Sequence, residues 1–320
     1  MCQKRITEFK DVESLKKHFN SEKIAILWYI ALRWANGVRC VKCKSDNVCT
    51  FRDGIRFKCR DCGKIFSFKV GTIFQNTKLP MKKWVIAYYL YLADSLGVSS
   101  YVLAKHCNVT QTTACNMLRR IRETFRQENE KQIFGLIEGS AVQSDETYLK
   151  GKNKNKHGNK KTVNGQGRSK NPATVPVMGI VDKATGKAKM FKVSNTNAQT
   201  ITPLLLKYVV PGTNVHTDEW KGYKELVKYY HHVSVNHGNK EYANGDANTN
   251  RVEGLWSLLK RLVYGRYRKV SDKHTQSYLN EQVYRFNSRE VSTFGKFVNC
   301  FELTATGYKT LYQLKQGLAA

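Results

Sequence analysis

The sequence predicts a multidomain protein in which an N-terminal helical segment, a small cysteine-rich ribbon and a helix–turn–helix precede an α/β domain. Three observations support this fold class. Two Cys-x-x-Cys pairs lie close together in the first 70 residues, amphipathic helical segments flank them, and strand and helix patterns alternate from residue 141 onward. The chain has 320 residues, of which 41% are hydrophobic, so it can form two or three domains with their own cores.

The changes in pattern along the chain divide it into five segments. We predict the following: a helical segment at 1–36, the ribbon at 37–70, the helix–turn–helix region at 71–130, the α/β domain at 131–300 and a C-terminal tail at 301–320. Within the α/β domain the pattern predicts strands at 141–149, 175–182, 188–193, 214–218 and 232–236, with helices between and after them. Strands and helices that alternate over this length are typical of a layered α/β domain.

The composition is strongly basic. Fifty-four Lys and Arg against 25 Asp and Glu give a net charge of +29, which favours a polyanionic partner such as nucleic acid or an anionic membrane. No apolar run approaches the roughly 20 residues that span a bilayer, and no signal-peptide pattern is present, so we expect a soluble, non-secreted protein without a membrane partner. Residues 150–172 carry eight Lys and Arg and no acid, which predicts a flexible basic insertion.

Four cysteines have the spacing of a zinc site. Cys40 and Cys43 form one pair, Cys59 and Cys62 form the other, and 15 residues separate the pairs. This pattern predicts a zinc ribbon with one structural Zn²⁺, because four thiolates leave no open coordination position. Unliganded core cysteines would not explain the paired spacing, and a redox Cys-x-x-Cys motif normally belongs to a βαβ context that is missing here.

Residues 98–122 show the pattern of a helix, a turn and a second helix. The polar side chains of Gln111, Thr112 and Asn116 fall at the start and on the outer face of the second helix, where such residues contact base edges. Three further residues of that helix are expected to contact phosphates: Arg119, Arg120 and Arg122. The alternative is an ordinary helical hairpin with a solvated basic face.

Three acids stand out in apolar surroundings. Asp145 lies in the strand 141–149, Asp218 ends the strand 214–218, and Glu253 lies on a helix predicted at 250–264. Carboxylates from two strands and a helix suit two Mg²⁺ (or Mn²⁺) ions, which bind oxygen ligands and stabilise both oxygens of an in-line phosphoryl displacement. Each acid taken alone could be a solvated surface residue, and only their combination and order favour a metal site.

These features occur together in one protein family. The chain resembles the bacterial insertion-sequence DDE transposases that carry an N-terminal zinc ribbon, to which the eukaryotic Merlin-type transposases are related. The resemblance extends from about Trp28 to about Asn287. Besides the ribbon, it rests on these motifs: Gly71-Thr-Ile-Phe74, Lys78-Leu-Pro-Met-Lys-Lys-Trp84, Gly97-Val-Ser-Ser100, Ser144-Asp-Glu-Thr-Tyr148, Thr217-Asp-Glu-Trp-Lys-Gly-Tyr223 and Asn250-Arg-Val-Glu-Gly-Leu-Trp-Ser-Leu-Leu-Lys-Arg261.

The resemblance implies an RNase H-like catalytic domain with Asp145, Asp218 and Glu253 as the metal-binding triad. The motifs select the first acid of each adjacent pair, and therefore Asp145 before Glu146. Lys260 matches the Lys that follows the catalytic Glu in the family, so it is expected to contact terminal DNA, together with its neighbour Arg261. Asn248 occupies a position where the family motif has His.

The function expected from this resemblance is transposition of an insertion sequence. The enzyme would bind the terminal inverted repeats of its own element, cut the phosphodiester and join the freed 3′-OH to target DNA, acting as a homo-oligomer on double-stranded DNA. We expect it in the bacterial cytoplasm at the nucleoid, or in the nucleus if the host is eukaryotic. Two alternatives remain: a catalytically inactive DNA-binding regulator derived from a transposase and using only residues 37–127, and a nuclease or resolvase with the RNase H fold.

Overall fold

The computed structural model describes residues 9–150, 174–235, 248–268, 270–305 and 311–316. The chain forms two compact units. One unit consists of the residues up to 128 and those from 288 onward, and the other consists of residues 129–287. Within the described ranges, no helix combines the length and the apolar character that crossing a bilayer requires.

The first unit begins with two helices. α1 spans Val12–His18 and α2 spans Glu22–Arg33. Oδ1 of Asp11 accepts a hydrogen bond from the amide of Ser14 at 2.7 Å, which satisfies one of the amides that a helix N-terminus leaves without an intrahelical partner. The predicted N-terminal helical segment therefore contains two capped helices with a short connection.

A three-stranded antiparallel sheet follows the helices. It consists of β1 (Val48–Thr50), β2 (Arg56–Cys59) and β3 (Ile65–Ser67), in that order across the sheet. The turn between the first two strands contains Gly54 at φ +72°, a conformation that glycine adopts without a steric penalty. Oδ1 of Asp53 accepts the amides of Ile55 and Arg56 at 3.0 and 3.1 Å, which stabilises the turn.

Three helices come next: α3 (Met81–Ala93), α4 (Ser100–Cys107) and α5 (Gln111–Lys131). Asn108 ends α4 in the left-handed conformation at φ +47°, which Asn tolerates better than most residues. Because α5 starts shortly afterwards, α4 and α5 form the helix, turn and helix that the sequence predicts. The second helix is longer than the amphipathic pattern indicates.

The C-terminal part of the chain belongs to the first unit. α9 spans Thr293–Leu303 and α10 spans Leu311–Gln316. Phe297 of α9 stacks on Trp28 with 5.4 Å between ring centroids, and Phe301 lies 4.6 Å from Tyr88. These aromatic contacts place α9 with the N-terminal helices, whereas the sequence pattern predicts a boundary within it, between a domain at 131–300 and a tail at 301–320.

The second unit is a layered α/β domain around one mixed sheet. Its main elements are β4 (Ala141–Lys150), β5 (Thr174–Asp182), β6 (Ala188–Lys192), α6 (Ala198–Tyr208), β7 (Asn214–Asp218), a 3₁₀ helix (Lys221–Lys228), β8 (His231–Val235), α7 (Asn250–Lys260), a π-helical segment (Arg261–Tyr267) and α8 (Thr275–Asn287). The strand order is β6-β5-β4-β7-β8. The first three strands are antiparallel neighbours, whereas β4, β7 and β8 run parallel.

Each face of this sheet carries its own core. Alternate residues of the central strands point to opposite faces, so Met178 and Ile180 enter one core and Val177 and Val181 enter the other. The first core is closed by α6 and the 3₁₀ helix, and the second by α7 and α8. Helices on both faces bury the sheet, and the helix α7 thereby comes to lie over the strand that contains Asp145.

Candidate active site

Asp145 and Asp218 lie on neighbouring parallel strands. β4 and β7 pair as far as Gln143 and His216, and each aspartate follows that last pair by two residues, so both point to the same face of the sheet. Carboxylate oxygens of Asp145, Glu146 and Asp218 all lie within 4.8 Å of one another. Hard oxygen ligands at this spacing can share a divalent cation, so the donor set fits Mg²⁺ or Mn²⁺.

The carboxyl group of Asp145 is largely buried. Its pKa is raised to about 6, chiefly by burial and also by the negative charges of Asp218 and Glu253, while a hydrogen bond from Trp256 opposes the shift. Carboxylates that disfavour one another's ionised form are stabilised when a cation binds among them. The raised pKa of Asp145 and the cluster of carboxylate oxygens therefore both indicate a cation-binding site.

Asp218 ends its strand in a closely packed turn. Its Oδ1 accepts the amide of Trp220 at 3.0 Å, and Nε1 of Trp220 donates to the carbonyl oxygen of Thr196 at 2.8 Å. A Cβ atom on Gly222 would lie 2.6 Å from the same carbonyl oxygen, so only glycine fits there. The motif around Asp218 therefore contains the residues that fix the end of β7.

Glu253 occupies the first turn of α7, where its side chain is exposed. Oγ1 of Thr249 donates to its Oε1 at 3.1 Å. Glu253 is close enough to raise the pKa of Asp145. In the described part of the chain the compact three-carboxylate cluster nevertheless includes Glu146 and not Glu253. The structure thus brings Asp145 and Asp218 together as predicted, with Glu253 at the edge of the group.

A tryptophan connects α7 to the strand of Asp145. Nε1 of Trp256 donates to Oδ2 of Asp145 at 2.8 Å, and the indole is almost completely buried. Gly179 of β5 pairs directly with Asp145 of β4 and leaves room for the indole. Any larger residue would clash, because a Cβ atom at position 179 would lie 2.7 Å from Cζ2 of Trp256. A glycine in a central strand is therefore required for the helix to approach the sheet.

Glu146, the third member of the cluster, also lies near a buried tyrosine. Burial raises the pKa of Tyr223 well above its ordinary value, and the charge of Glu146 adds to the shift. The Tyr223 hydroxyl lies 3.4 Å from Oγ of Ser144. At neutral pH this hydroxyl is consequently a neutral group beside the acidic cluster.

The four predicted zinc ligands form a second cluster. Their Sγ atoms all lie within 4.8 Å of one another, with Cys40 to Cys62 and Cys43 to Cys59 at 3.6 Å. Zn–S bonds of about 2.3 Å in a tetrahedron place sulfurs about 3.8 Å apart, so the thiols fit Zn²⁺. Backbone amides, first that of Cys43 and also that of Lys42, lower the pKa of the Cys40 thiol to about 6, which favours the thiolate that a metal requires.

The outer face of α5 carries part of the predicted DNA-binding set. Thr112 is exposed, and Asn116 and Arg119 are partly exposed at helical intervals of four and three residues, so these three lie along one face. Nη1 of Arg119 donates to Oδ1 of Asn116 at 2.8 Å. Gln111 instead hydrogen-bonds to Oγ of Ser100 at 2.9 Å, which joins the two helices of the motif.

The structure corrects the prediction for two arginines. Arg120 and Arg122 are 6% and 4% exposed, so neither presents its guanidinium on the surface of α5. Nη1 of Arg120 donates to the carbonyl oxygens of Ile73 and Gln75. The buried face of α5 is wider than its apolar residues indicate and includes both arginines. Neither arginine could contact a phosphate without leaving its buried position.

Beyond Glu253, the exposed face of α7 carries Lys260, and Arg261 follows it at the start of the π-helical segment. Both side chains are exposed, as a role in DNA binding requires. The predicted basic insertion at 150–172 lies outside the described residues, apart from Lys150 at the end of β4.

Comparison with known families matches both parts of the chain. Residues 21–65 match the model of the transposase zinc-ribbon domain, and residues 137–287 match that of the ISXO2-like transposase domain. The second range includes Asp145, Asp218 and Glu253. The chain belongs to the zinc-ribbon DDE transposases of the IS1595 type. The expected family, multidomain fold and transposase activity are thereby confirmed.

Two curated relatives are consistent with membership of the transposase family. A protein of Halobacterium salinarum described as an uncharacterized protein in transposable element ISH50 is 28% identical over 273 residues, which cover 82% of this chain and 90% of the relative. An uncharacterized transposase-like protein of Haemophilus influenzae is 28% identical over 110 residues, covering 33% of this chain and 88% of that protein.

Solved structures of another transposase show only a distant likeness. A pre-cleavage Mos1 transpososome is 12% identical with a TM-score of 0.28, over 67% of this chain and 76% of that chain. The mariner Mos1 paired end complex with Mg is 12% identical with a TM-score of 0.27, over 74% and 83% of the two chains. Likenesses at this level carry no argument, and membership of the family rests on the two domain matches.

Three residues of this transposase site lie outside the predicted set. Trp256 and Gly179 determine how α7 approaches Asp145, and Glu146 completes the carboxylate cluster. Trp256 and Glu146 stand inside motifs that the sequence displays, so their positions in those motifs were an available signal. Gly179 is a glycine in the interior of a hydrophobic strand, a pattern that marks the close approach of another group.

Proposed function

We propose that this transposase binds the terminal inverted repeats of its own element, cuts the phosphodiester at each end and joins the freed 3′-OH to target DNA. The observation that carries the proposal is the convergence of Asp145, Glu146 and Asp218 just beyond the point where two parallel strands stop pairing, in the domain that matches the family. The partner would be double-stranded DNA, bound by a homo-oligomer, in the bacterial cytoplasm or in the nucleus of a eukaryotic host.

The metal assignment follows from the donor atoms. Four thiols fit one structural Zn²⁺, and the carboxylates fit Mg²⁺ or Mn²⁺. Two divalent ions at such a site stabilise the charge on the attacking and leaving oxygens of a phosphoryl displacement. Asp145 and Asp218 would hold them, with Glu253 as the third predicted ligand and Glu146 as a neighbouring donor.

Residues on the surfaces described above would bring DNA to the acids. Thr112, Asn116 and Arg119 present two polar side chains and one cation along α5, which suits contact with base edges and a phosphate. Lys260 ends the helix that bears Glu253 and Arg261 begins the π-helical segment after it, where two cations would attract the DNA backbone near the reaction centre. The net charge of +29 supplies the long-range attraction.

The full chain and duplexes that carry the DNA flanking its gene test this proposal. With Mg²⁺ or Mn²⁺, we expect cleavage at the end of an inverted repeat and joining of that end to a plasmid. A duplex with a scrambled terminal repeat is the matched control and should be neither cut nor joined. A DNA-binding regulator would bind without cutting, and a nuclease or resolvase would cut without joining and without dependence on the repeat. Either result would contradict the proposal.

A further inference from the structure

A buried glutamine connects the strand of Asp145 to the helix of Glu253. Gln143 is fully buried and lies two residues before Asp145 on β4, so both side chains point toward α7. Oε1 of Gln143 accepts the amides of Arg251 at 3.0 Å and Val252 at 3.2 Å. These amides belong to the first turn of α7, which has no intrahelical acceptor for them.

Gln143 caps the N-terminus of α7 although it lies on a strand far from that helix in the sequence. A capping side chain normally belongs to the residue that precedes the helix, here Thr249, and accepts from the second and third helical amides. The side chain of Thr249 forms no such bond, and its hydroxyl instead donates to Glu253 at 3.1 Å. Gln143 therefore satisfies the helix terminus and leaves the Thr249 hydroxyl available to orient the carboxylate.

The nitrogen of the Gln143 side-chain amide also has a partner. Nε2 donates to Oδ1 of Asn248 at 2.7 Å, which fixes the orientation of the side-chain amide and holds the residue that leads into α7. One turn beyond Glu253, Trp256 donates to Asp145 at 2.8 Å. The strand thus holds the helix at two places, and Glu253 lies between them.

We propose that Gln143 is a positioning residue of the transposase, whose amide sets the first turn of α7 so that Glu253 can act with Asp145 on the catalytic metal. The inference rests on the proposed metal site. Its expected effect is on metal affinity, because residues that orient ligands typically change affinity by about 10- to 100-fold when they are removed.

The test measures Mn²⁺ binding to the full, zinc-loaded chain without DNA, by the electron paramagnetic resonance signal of the free ion. Gln143→Met keeps the volume and removes the amide, and we expect it to weaken Mn²⁺ binding by about tenfold or more. The matched control is Gln276→Met, because the amide of Gln276 similarly joins α8 to the backbone of Lys192 and Met190, and its hydrogen bonds go to these residues and to Asn280, none of which belongs to α7. The control should bind Mn²⁺ as the wild type does.

A double-mutant cycle with Glu253→Gln decides whether Gln143 acts through Glu253. If it does, Gln143→Met should add little to the loss in the Glu253→Gln background, whereas independent effects would add. Additive losses, unchanged affinity in Gln143→Met or an equal loss in Gln276→Met would each overturn the inference. Should Gln143→Met fail to fold, Gln143→Asn, which is polar but too short to reach the α7 amides, replaces it with the same expectations.

The same measurement separates this inference from the proposed function. Asp145→Asn should abolish tight Mn²⁺ binding at the carboxylates, and unchanged binding in that variant would overturn the metal site and the role of Gln143 together. Weakened binding in Asp145→Asn with wild-type binding in Gln143→Met would overturn only the role of Gln143. Because no DNA is present, failure of repeat recognition cannot produce either result.

Discussion

The indole of Trp256 donates a hydrogen bond to Oδ2 of Asp145 across 2.8 Å, and Gly179 on the next strand leaves the space that the indole occupies. A residue of α7 thereby orients a carboxylate of β4. The packing of the domain therefore affects its chemistry, because a shift of α7 against the sheet would move both Trp256 and Glu253 relative to the aspartates.

Replacing the glycine should displace α7. In Gly179→Ala the new methyl group would overlap the indole of Trp256, and overpacking of this kind costs about 1–3 kcal/mol in the free energy of unfolding. We expect lower stability in urea together with a loss of strand-transfer activity. Gly254→Ala on the exposed side of α7 is the control, since a Cβ there meets no atom and alanine favours a helix by about 0.5–1 kcal/mol. A Gly179→Ala protein as stable as the wild type would show that α7 does not need a glycine at this position to pack against the sheet.

The hydrogen bond itself is tested by Trp256→Phe, which retains most of the buried ring. Partners that orient a metal ligand typically change metal affinity by about 10- to 100-fold when they are removed, so we expect Mn²⁺ affinity to fall by about tenfold or more. The pKa of Asp145 should also rise in the metal-free protein, because the bond now lowers it. Titration of Asp145 by NMR measures that shift, and an unchanged pKa would show that the indole does not act on the carboxylate.

Asp145 should make the metal-free protein less stable as the pH rises. Its folded pKa of about 6 lies above the ordinary value of 3.8, so the folded state binds the proton more tightly. The stability that this proton contributes is complete below roughly pH 4 and is lost as the pH rises to about 6. Asp145→Asn mimics the protonated acid, and at pH 7 we expect it to raise the free energy of unfolding by on the order of 3 kcal/mol. Urea unfolding of zinc-loaded protein at pH 4 and pH 7 measures this, and a variant no more stable than wild type at pH 7 would refute the predicted strain.

The ribbon should depend on its four clustered cysteines and not on Cys49, which lies in the same sheet outside the cluster. We expect Cys59→Ser to lose the bound zinc and the folded ribbon, because structural zinc contributes directly to folding. Elemental analysis of the purified protein should give one zinc per chain in Cys49→Ser and much less in Cys59→Ser. Equal zinc content in the two variants would contradict the assignment.

Two neighbouring arginines should behave differently in DNA binding. Arg119→Ala removes one expected phosphate contact, so the slope of log affinity against log salt should fall by about 0.9 with little change in stability. Arg120→Ala should instead lower stability, because Arg120 is buried on the carbonyl oxygens of Ile73 and Gln75. Binding to an element-end duplex at several salt concentrations distinguishes them, and the reverse pattern would exclude the proposed DNA-binding face of α5.

Much of the fold is predictable from local patterns. The paired cysteines, the Asp-Gly turn and the alternation of strands and helices all act over short distances, and the structure follows them. The two aspartates were predictable because each ends or interrupts an apolar strand. The burial of Arg120 was not, because it depends on carbonyl groups of a loop 45 and 47 residues earlier in the chain.

The tertiary contacts of the site lay beyond such patterns. Gln143 caps a helix 108 and 109 residues away, and nothing in the local sequence of β4 indicates that partner. The inclusion of Glu146 in the carboxylate cluster likewise depends on how β4 and β7 meet, whereas the motif alone selected Asp145. The placement of α9 with the N-terminal helices depends on aromatic contacts between distant parts of the chain.

The most direct test of the central claim is strand transfer by Asp218→Asn with a pre-cut element-end duplex and a plasmid target. We expect this variant to bind the duplex as the wild type does but to yield no joined product, because a carboxylate essential for metal binding is missing. Joined product at the wild-type rate, in the same metal and salt, would contradict the claim that the Asp145–Asp218 cluster is the reaction centre.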